Sequence, residues 1–236
     1  MSQPLHILVT GASRGIGAAI VEALAGHKVV GHSTSGGESR IAADLARPDV
    51  AEPLWAEALA RLDGRIDVLI NNAGIFEPAP IDAAAAEWTA LWERTLRVNL
   101  LAAAELCRLA VRHFREAGRG GRIVNVASRA AYRGDSPDHW HYAASKAGMV
   151  AMTKTIARGY AAEGICAFTV CPGFTVTGMV EDYVASRGGP DFLSDIPLGR
   201  PATTHEIAET VRWLAVDAPA SATGAVVDVN GASFVR

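Results

Sequence analysis

Apolar and β-branched residues recur along the chain in short runs, each followed by a longer stretch whose apolar positions fall at helical spacing. The runs at residues 5–9, 28–32, 67–70, 122–127, 165–171 and 225–229 predict strands, with a weaker one at 41–43, about seven in all. Helices are expected between them, near residues 16–25, 50–62, a kinked stretch over 83–117, 142–163 and 204–216, the last with Thr203 or Thr204 as its cap. The runs IVNVA, broken only by its asparagine, and VLI are continuously apolar rather than alternating, as strands are when helices cover both faces of their sheet. The pattern therefore predicts an α/β fold, a doubly wound parallel sheet flanked by helices, in a single domain spanning 1–236. A polar, glycine-containing excursion at 178–201, with a short helical stretch near 179–185, is expected to form a substrate lid.

Composition narrows the function classes. Half the residues are hydrophobic and a fifth charged, enough to build a packed core. Lysine and arginine number 22 and the acids 25, a net charge of −3, so no global field draws the chain to nucleic acid or an anionic membrane. An anionic ligand needs a local site. Cys107, Cys166 and Cys171 are odd in number and two lie in an apolar run, the pattern of reduced, buried thiols. With no basic leader and no run near the ~20 apolar residues of a membrane span, a cytoplasmic protein is expected.

The first strand runs directly into TGASRGIG, which places Gly11, Gly15 and Gly17 before an amphipathic helix. A turn of this kind presents free backbone N–H groups and the positive end of a helix dipole to a phosphate, and its glycines allow close approach. A glycine-rich turn that is only structural would read the same way. The second strand ends in GHSTSG, with His32 near the position of the carboxylate that binds a ribose 2′-hydroxyl in NAD sites. No acid stands there, Ser33 and its neighbours offer donors, and Arg14 sits in the turn, so NADP(H) is favoured over NAD(H).

A second constellation is proton chemistry. In YAASKAG, Tyr142 and Lys146 are four residues apart at the start of a predicted helix and share a face. An ammonium beside a phenol favours the phenolate and draws a group of ordinary pKa ~10 toward the range of a general acid/base. Taken alone, the pair is equally a surface tyrosine and lysine. Ser128 follows the strand IVNVA at the carboxyl edge of the sheet, where a hydroxyl can bind a carbonyl oxygen. Asn99 lies inside an apolar helical segment and has a role only if it faces the Tyr142 helix.

With these residues in place, the chain resembles the short-chain dehydrogenase/reductase family along essentially its whole length. TGASRGIG, NNAG, Asn99, Ser128 and YAASK occur in the family's order, followed by CPGFTVTGM and ATGAVVDVNG. The resemblance implies a Rossmann-type fold, a nicotinamide cofactor and a catalytic tetrad of Asn99, Ser128, Tyr142 and Lys146. Tyr142 exchanges the proton, Ser128 orients the carbonyl, Lys146 binds the nicotinamide ribose, and Asn99 holds a water. It further implies cofactor contacts from Gly11, Ser13, Arg14, Gly15, Ile16, Gly17, His32, Ser33, Asp44, Leu45, Asn72, Ala73 and Gly74. Around the nicotinamide it implies Pro172, Gly173, Thr175 and Thr177.

The implied reaction is carbonyl–alcohol interconversion, foremost as a 3-oxoacyl thioester reductase whose substrate is carried on acyl carrier protein or coenzyme A. A secondary-alcohol or sugar dehydrogenase and a non-catalytic cofactor-binding regulatory protein stand beside it. A homodimer or homotetramer through residues 100–114 and 143–160 is implied as well. The chain departs from the family's pattern in a short stretch between His32 and Ile41, in Arg129 directly after Ser128, and in the segment SPDHWHY. Arg129, Arg133 and Trp140 can line a pocket for an acidic or aromatic substrate or lie on the surface. His139 and His141 lack partners at metal-ligand spacing, so no metal is expected.

Overall fold

The computed structural model describes residues 3–176 and 190–236. The described elements run β1 (His6–Val9), α1 (Gly15–Ala23), β2 (Lys28–Ser33), β3 (Arg40–Ala42), α2 (Ala51–Arg61), β4 (Val68–Asn71) and α3 (Ala85–Leu96). A π turn (Arg97–Leu101) then leads into α4 (Ala102–Ala117), followed by β5 (Gly121–Val126), α5 (Ala130–Arg133), α6 (Trp140–Tyr160), β6 (Ile165–Pro172) and β7 (Thr175–Val176). The chain closes with β8 (Ala202–Thr203), α7 (Thr204–Val216) and β9 (Val226–Val229). Seven strands form one sheet in the order β3-β2-β1-β4-β5-β6-β9, every pairing parallel.

The sheet explains why its central strands are mostly apolar on both faces. Leu8, Leu69, Ile123 and Ala167 point to one face, into a core shared with Leu54, Trp55 and Ala58 of α2, Leu106, Ala110 and Phe114 of α4, and Ile156 of α6. Ile7, Ile70, Val124 and Phe168 point to the other, against Ile20 of α1 and Ile207, Val211 and Leu214 of α7. Helices cover both faces, and burying each large side chain stabilises the fold by roughly 1.5–3 kcal/mol. The expected kink in the long helical stretch is the π turn, which inserts one residue into the helical ladder between α3 and α4.

The short stretch between His32 and Ile41 holds no helix. Strand β3 begins beside Gly31, only two residues back from the end of β2, so residues 34–39 need to recover roughly 7 Å of strand length. They do so through Gly36 and Gly37, at φ +70° and +152°, and a turn in which the Arg40 N–H donates to the Gly37 carbonyl at 3.1 Å. Both outer strands are short, β3 with 3 residues and β9 with 4. Along β9, Arg236 folds back so that its guanidinium donates to the Val226 carbonyl and, at 2.9 Å, to Asp228.

Of the expected lid, residues 177–189 lie outside the described residues, and with them Thr177 and the stretch 179–185. Beyond them a 3₁₀ helix, Pro190–Asp195, brings Asp195 toward α5. Among the described residues no helix is long and apolar enough to cross a membrane.

Candidate active site

The glycine turn between β1 and α1 is shaped by its own backbone. Gly11 and Gly15 have φ of +67° and +55°, and a Cβ at Gly17 would stand 2.0 Å from the Gly11 carbonyl oxygen. Only glycine fits there. Arg14 caps α1 with extended backbone but makes no side-chain cap, and the first turn carries no acid. The positive end of the helix is thus left for a ligand, a fit to a pyrophosphate.

Thr10 ties this turn to the next strand. Its Oγ1 accepts from the backbone N–H of Asn72 and Ala73 at 3.0 and 3.1 Å, while Asn72 Nδ2 donates to the carbonyls of Thr10 and Gly11, both at 3.1 Å. Sequence reasoning missed Thr10; a lone polar residue closing an apolar strand was its one signal. His32 points into the fold instead of toward solvent. It is 2% exposed, its Nδ1 accepts from the Gly11 N–H at 3.3 Å and its Nε2 donates to the Ala43 carbonyl at 2.8 Å. Burial holds its imidazole below the ordinary value, against the hydrogen bond to Ala43. The side chain therefore fastens β2 to the glycine turn and to the end of β3. Ser33 is also buried and donates to the Gly36 carbonyl at 3.3 Å, Asp44 is exposed at the end of β3, and Leu45 packs into the core.

Asn99 sits in the π turn, fully buried. Its Oδ1 accepts from the Ile75 N–H at 2.8 Å, and its Nδ2 donates to the Ile75 carbonyl at 3.0 Å and to Ser145 Oγ at 3.3 Å. The amide thus joins the loop after β4 to α6, the helix of Tyr142, as its expected role requires. Lys146 is buried on the same helix. Its Nζ donates to the Val126 carbonyl at 3.0 Å and lies 5.8 Å from the centre of the Tyr142 ring, and burial pushes its ammonium down to about 8. A Cβ at Gly74 would lie 3.3 Å from Asn99 Oδ1 and 3.4 Å from Lys146 Nζ, so this glycine leaves room for both.

Other contacts that hold α6 join residues far apart in sequence. Phe76 stacks on His139 with ring centres 3.8 Å apart and meets the Tyr142 ring edge-on at 4.7 Å. Asn71 donates to Asn125 at 2.9 Å and Asn125 to Thr153 at 2.8 Å, a buried amide chain linking β4, β5 and α6. Cys107 lies against it, and burial pushes its thiol up to about 12. All three cysteines are buried and free.

A cavity of about 600 Å³ opens at the carboxyl edge of the sheet. Its lining brings together Ile16, Asn72 and Gly74, the side chains of Ser128, Tyr142 and Lys146, and Pro172, Gly173 and Thr175. Ser128 Oγ accepts from the Ala130 N–H at 3.1 Å, which anchors the serine at the start of α5. Asn99 stands behind the lining. Arg129 and Arg133 reach the cavity, whereas Trp140 lies outside its lining and is 53% exposed.

Residues 11–232 match a family model, adh_short_C2, described as enoyl-(acyl carrier protein) reductase. The chain belongs to the short-chain dehydrogenase/reductase family. Members of this family are oxidoreductases that use a nicotinamide cofactor, and this one acts on CH–OH groups. This short-chain dehydrogenase/reductase is 38% identical to a 3-oxoacyl-(acyl-carrier-protein) reductase of Synechocystis, over 95% of the chain and 94% of the relative. It is 34% identical to the Escherichia coli 3-oxoacyl-(acyl-carrier-protein) reductase FabG, over 97% and 96%. To the acetoacetyl-CoA reductase of Shinella zoogloeoides it is also 34% identical, over 96% and 97%. Among solved structures it is similar to ligand-free aldohexose dehydrogenase of Thermoplasma acidophilum, at a TM-score of 0.87 and 27% identity, over 99% of the chain and 95% of that structure.

Proposed function

We propose that the protein is an NADPH-dependent reductase of 3-oxoacyl thioesters, with Asn99, Ser128, Tyr142 and Lys146 as its working groups. The observation that carries this reading is that Ser128, Tyr142 and Lys146 line one cavity together with Ile16, which lies in the first turn of the helix that opens at the glycine turn. The reduced nicotinamide, when bound, supplies the hydride. Tyr142 gives its hydroxyl proton to the carbonyl oxygen as that oxygen gains charge. Ser128 donates a hydrogen bond to the same oxygen and fixes its position. Lys146, charged below about pH 8, favours the tyrosinate left behind and holds the nicotinamide ribose. Asn99 braces the loop after β4 against α6, so the tyrosine and the cofactor floor keep one geometry. Proton delivery to an oxygen beside a serine suits a carbonyl better than the carbon–carbon double bond that the family model's description names.

The remaining cofactor contacts belong to the same proposal: Gly11, Ser13, Arg14, Gly15, Ile16 and Gly17 at the pyrophosphate, and Ser33, Asp44, Leu45, Asn72, Ala73 and Gly74 toward the adenosine. His32 acts there through the turn it fastens. Pro172, Gly173 and Thr175 surround the nicotinamide; Thr177 is assigned there by the family resemblance alone. Arg14 and the lack of a carboxylate at the end of β2, where His32 and Ser33 stand, favour the 2′-phosphate of NADPH. The 3-oxoacyl-(acyl-carrier-protein) and acetoacetyl-CoA reductases among its relatives support a thioester carried on acyl carrier protein or coenzyme A. Assembly as a homodimer or homotetramer through residues 100–114 and 143–160 is part of this reading.

The test is oxidation of NADPH by acetoacetyl-CoA, followed by absorbance. Activity is expected with NADPH preferred over NADH by about tenfold in kcat/KM, roughly one charge-assisted contact. Tyr142→Phe is expected to lower kcat by about 10²–10⁴-fold, with NADPH affinity kept within about threefold. A Tyr142→Phe enzyme as fast as wild type would refute the proton assignment.

A further inference from the structure

We infer that Arg129 and Arg133 select a substrate bearing a carboxylate on the acyl side of the reacting carbonyl. The inference rests on the thioester-reductase reading and names the substrate class of that site. Arg129 directly follows Ser128 and is 8% exposed, so its charge is held at the edge of the reaction centre. Its position is built: the backbone N–H donates to the Pro172 carbonyl at 2.9 Å, and the guanidinium carbon lies over the Phe174 ring, 4.1 Å from its centre. The ring contact holds the guanidinium in place at the cavity, and a guanidinium fork suits a planar carboxylate. Arg133, one turn later on α5, brings a second guanidinium to the same cavity.

The protein itself supplies a carboxylate at this point. Asp195 Oδ2 lies 2.6 Å from Arg133 Nη1 and 3.6 Å from Arg129 Nη1, and Arg133 holds its carboxyl below the usual range. A carboxylate therefore fits between the two arginines. Asp195 stands on a short 3₁₀ helix with half its side chain exposed, so a substrate carboxylate can share or take its place. The cavity lining carries Lys146, Arg129 and Arg133 against Asp135 and Asp195, which leaves it cationic overall. The phosphate of a pantetheine carrier is a poorer match. It is separated from the thioester by the whole pantetheine chain, whereas Arg129 adjoins the serine that binds the carbonyl.

The probes are N-acetylcysteamine thioesters of 3-oxoadipate, as the free terminal carboxylate and as its methyl ester. They match in length and lack phosphate. With wild-type enzyme and NADPH, kcat/KM for the acid is expected to exceed that for the ester by tenfold or more, the worth of one or two charge-assisted hydrogen bonds. Arg129→Gln and Arg133→Gln are expected to bring the ratio to about 1, mainly through KM, and Asp195→Asn to raise it. Arg133 is exposed, so its variant decides the matter even if Arg129→Gln fails to fold. A wild-type ratio of 1 or below, or a ratio that survives both arginine substitutions, would overturn the inference. If neither thioester turns over, the thioester reading falls by itself, and calorimetry with glutarate then decides this one. Saturable binding lost in Arg133→Gln supports it, and no binding to the wild type sinks it.

Discussion

Helices α1 and α7 pack against each other in the same layer, yet their N-termini are finished in opposite ways. At α7 the backbone is closed by its own side chains. Thr203 Oγ1 accepts from the Glu206 N–H at 3.2 Å, Glu206 returns the bond from the Thr203 N–H at 2.8 Å, and Arg200 grips the same carboxylate at 2.8 and 2.9 Å. At α1 the cap residue, Arg14, makes no side-chain hydrogen bond to the backbone, and the first turn contains no acid. Both ends begin with orphan N–H groups and a positive dipole. The end that satisfies itself serves stability, and the end left open faces the cavity of Ser128 and Tyr142.

The largest break in this contrast is expected from Gly17→Ala. Its Cβ would meet the Gly11 carbonyl at 2.0 Å and Asn72 Nδ2 at 2.6 Å, so backbone must move. Overpacking of this kind costs about 3 kcal/mol. NADPH binding by calorimetry is expected to weaken by about 100-fold or more, because the displaced backbone no longer presents its N–H groups to the phosphates. Retained affinity would mean the turn is not the phosphate site.

Arg14→Asp grafts onto α1 the kind of cap found at α7, at a residue whose φ of −160° already suits a cap. Helix stability is expected to rise by up to about 1 kcal/mol, seen as a slightly higher Tm. NADPH affinity is expected to fall roughly tenfold to a hundredfold, because a carboxylate replaces a cation beside the phosphates. A gain in both would erase the distinction between the two ends.

The smallest effects belong to α7. Thr203→Ala is expected to cost about 1 kcal/mol, a drop of about 2–4 °C in Tm, with NADPH affinity untouched. Hydrogen bonds from Arg200, then from the Thr203 backbone, hold the Glu206 carboxyl down to about 2. Its folded value lies below its unfolded one of about 4.3, so its contribution is present above pH ~4.3 and lost as pH falls toward 2. Denaturant midpoints of Glu206→Gln are therefore expected to fall less between pH 5 and 2 than those of the wild type.

The strands, the helices and the site motifs are readable because each rests on local spacing. The pattern predicts a helix over 204–216, and α7 spans Thr204–Val216; Tyr142 and Lys146 share a helix, as four-residue spacing requires. What cannot be read depends on where a side chain turns after folding. His32 stands at the expected strand end, but its ring bonds Gly11 and Ala43 because β1 and β3 flank β2 on either side. The stacking of Phe76 on His139 joins residues on two separate loops, and only tertiary packing selects that pairing. Arg129 is visible as a departure in sequence. Its stacking on Phe174 and approach to Asp195 need the fold.

The brevity of the two outermost strands has a consequence for colloidal behaviour. A sheet edge with bare N–H and C=O groups is a template on which another chain can build. On one side the template extends for 3 residues before the Gly37–Arg40 turn breaks it. On the other it extends for 4, and Arg236 occupies the outward Val226 carbonyl. The protein thereby denies foreign strands a foothold at either border, so that its long inner strands, the most aggregation-prone segments it has, are never the ones on offer.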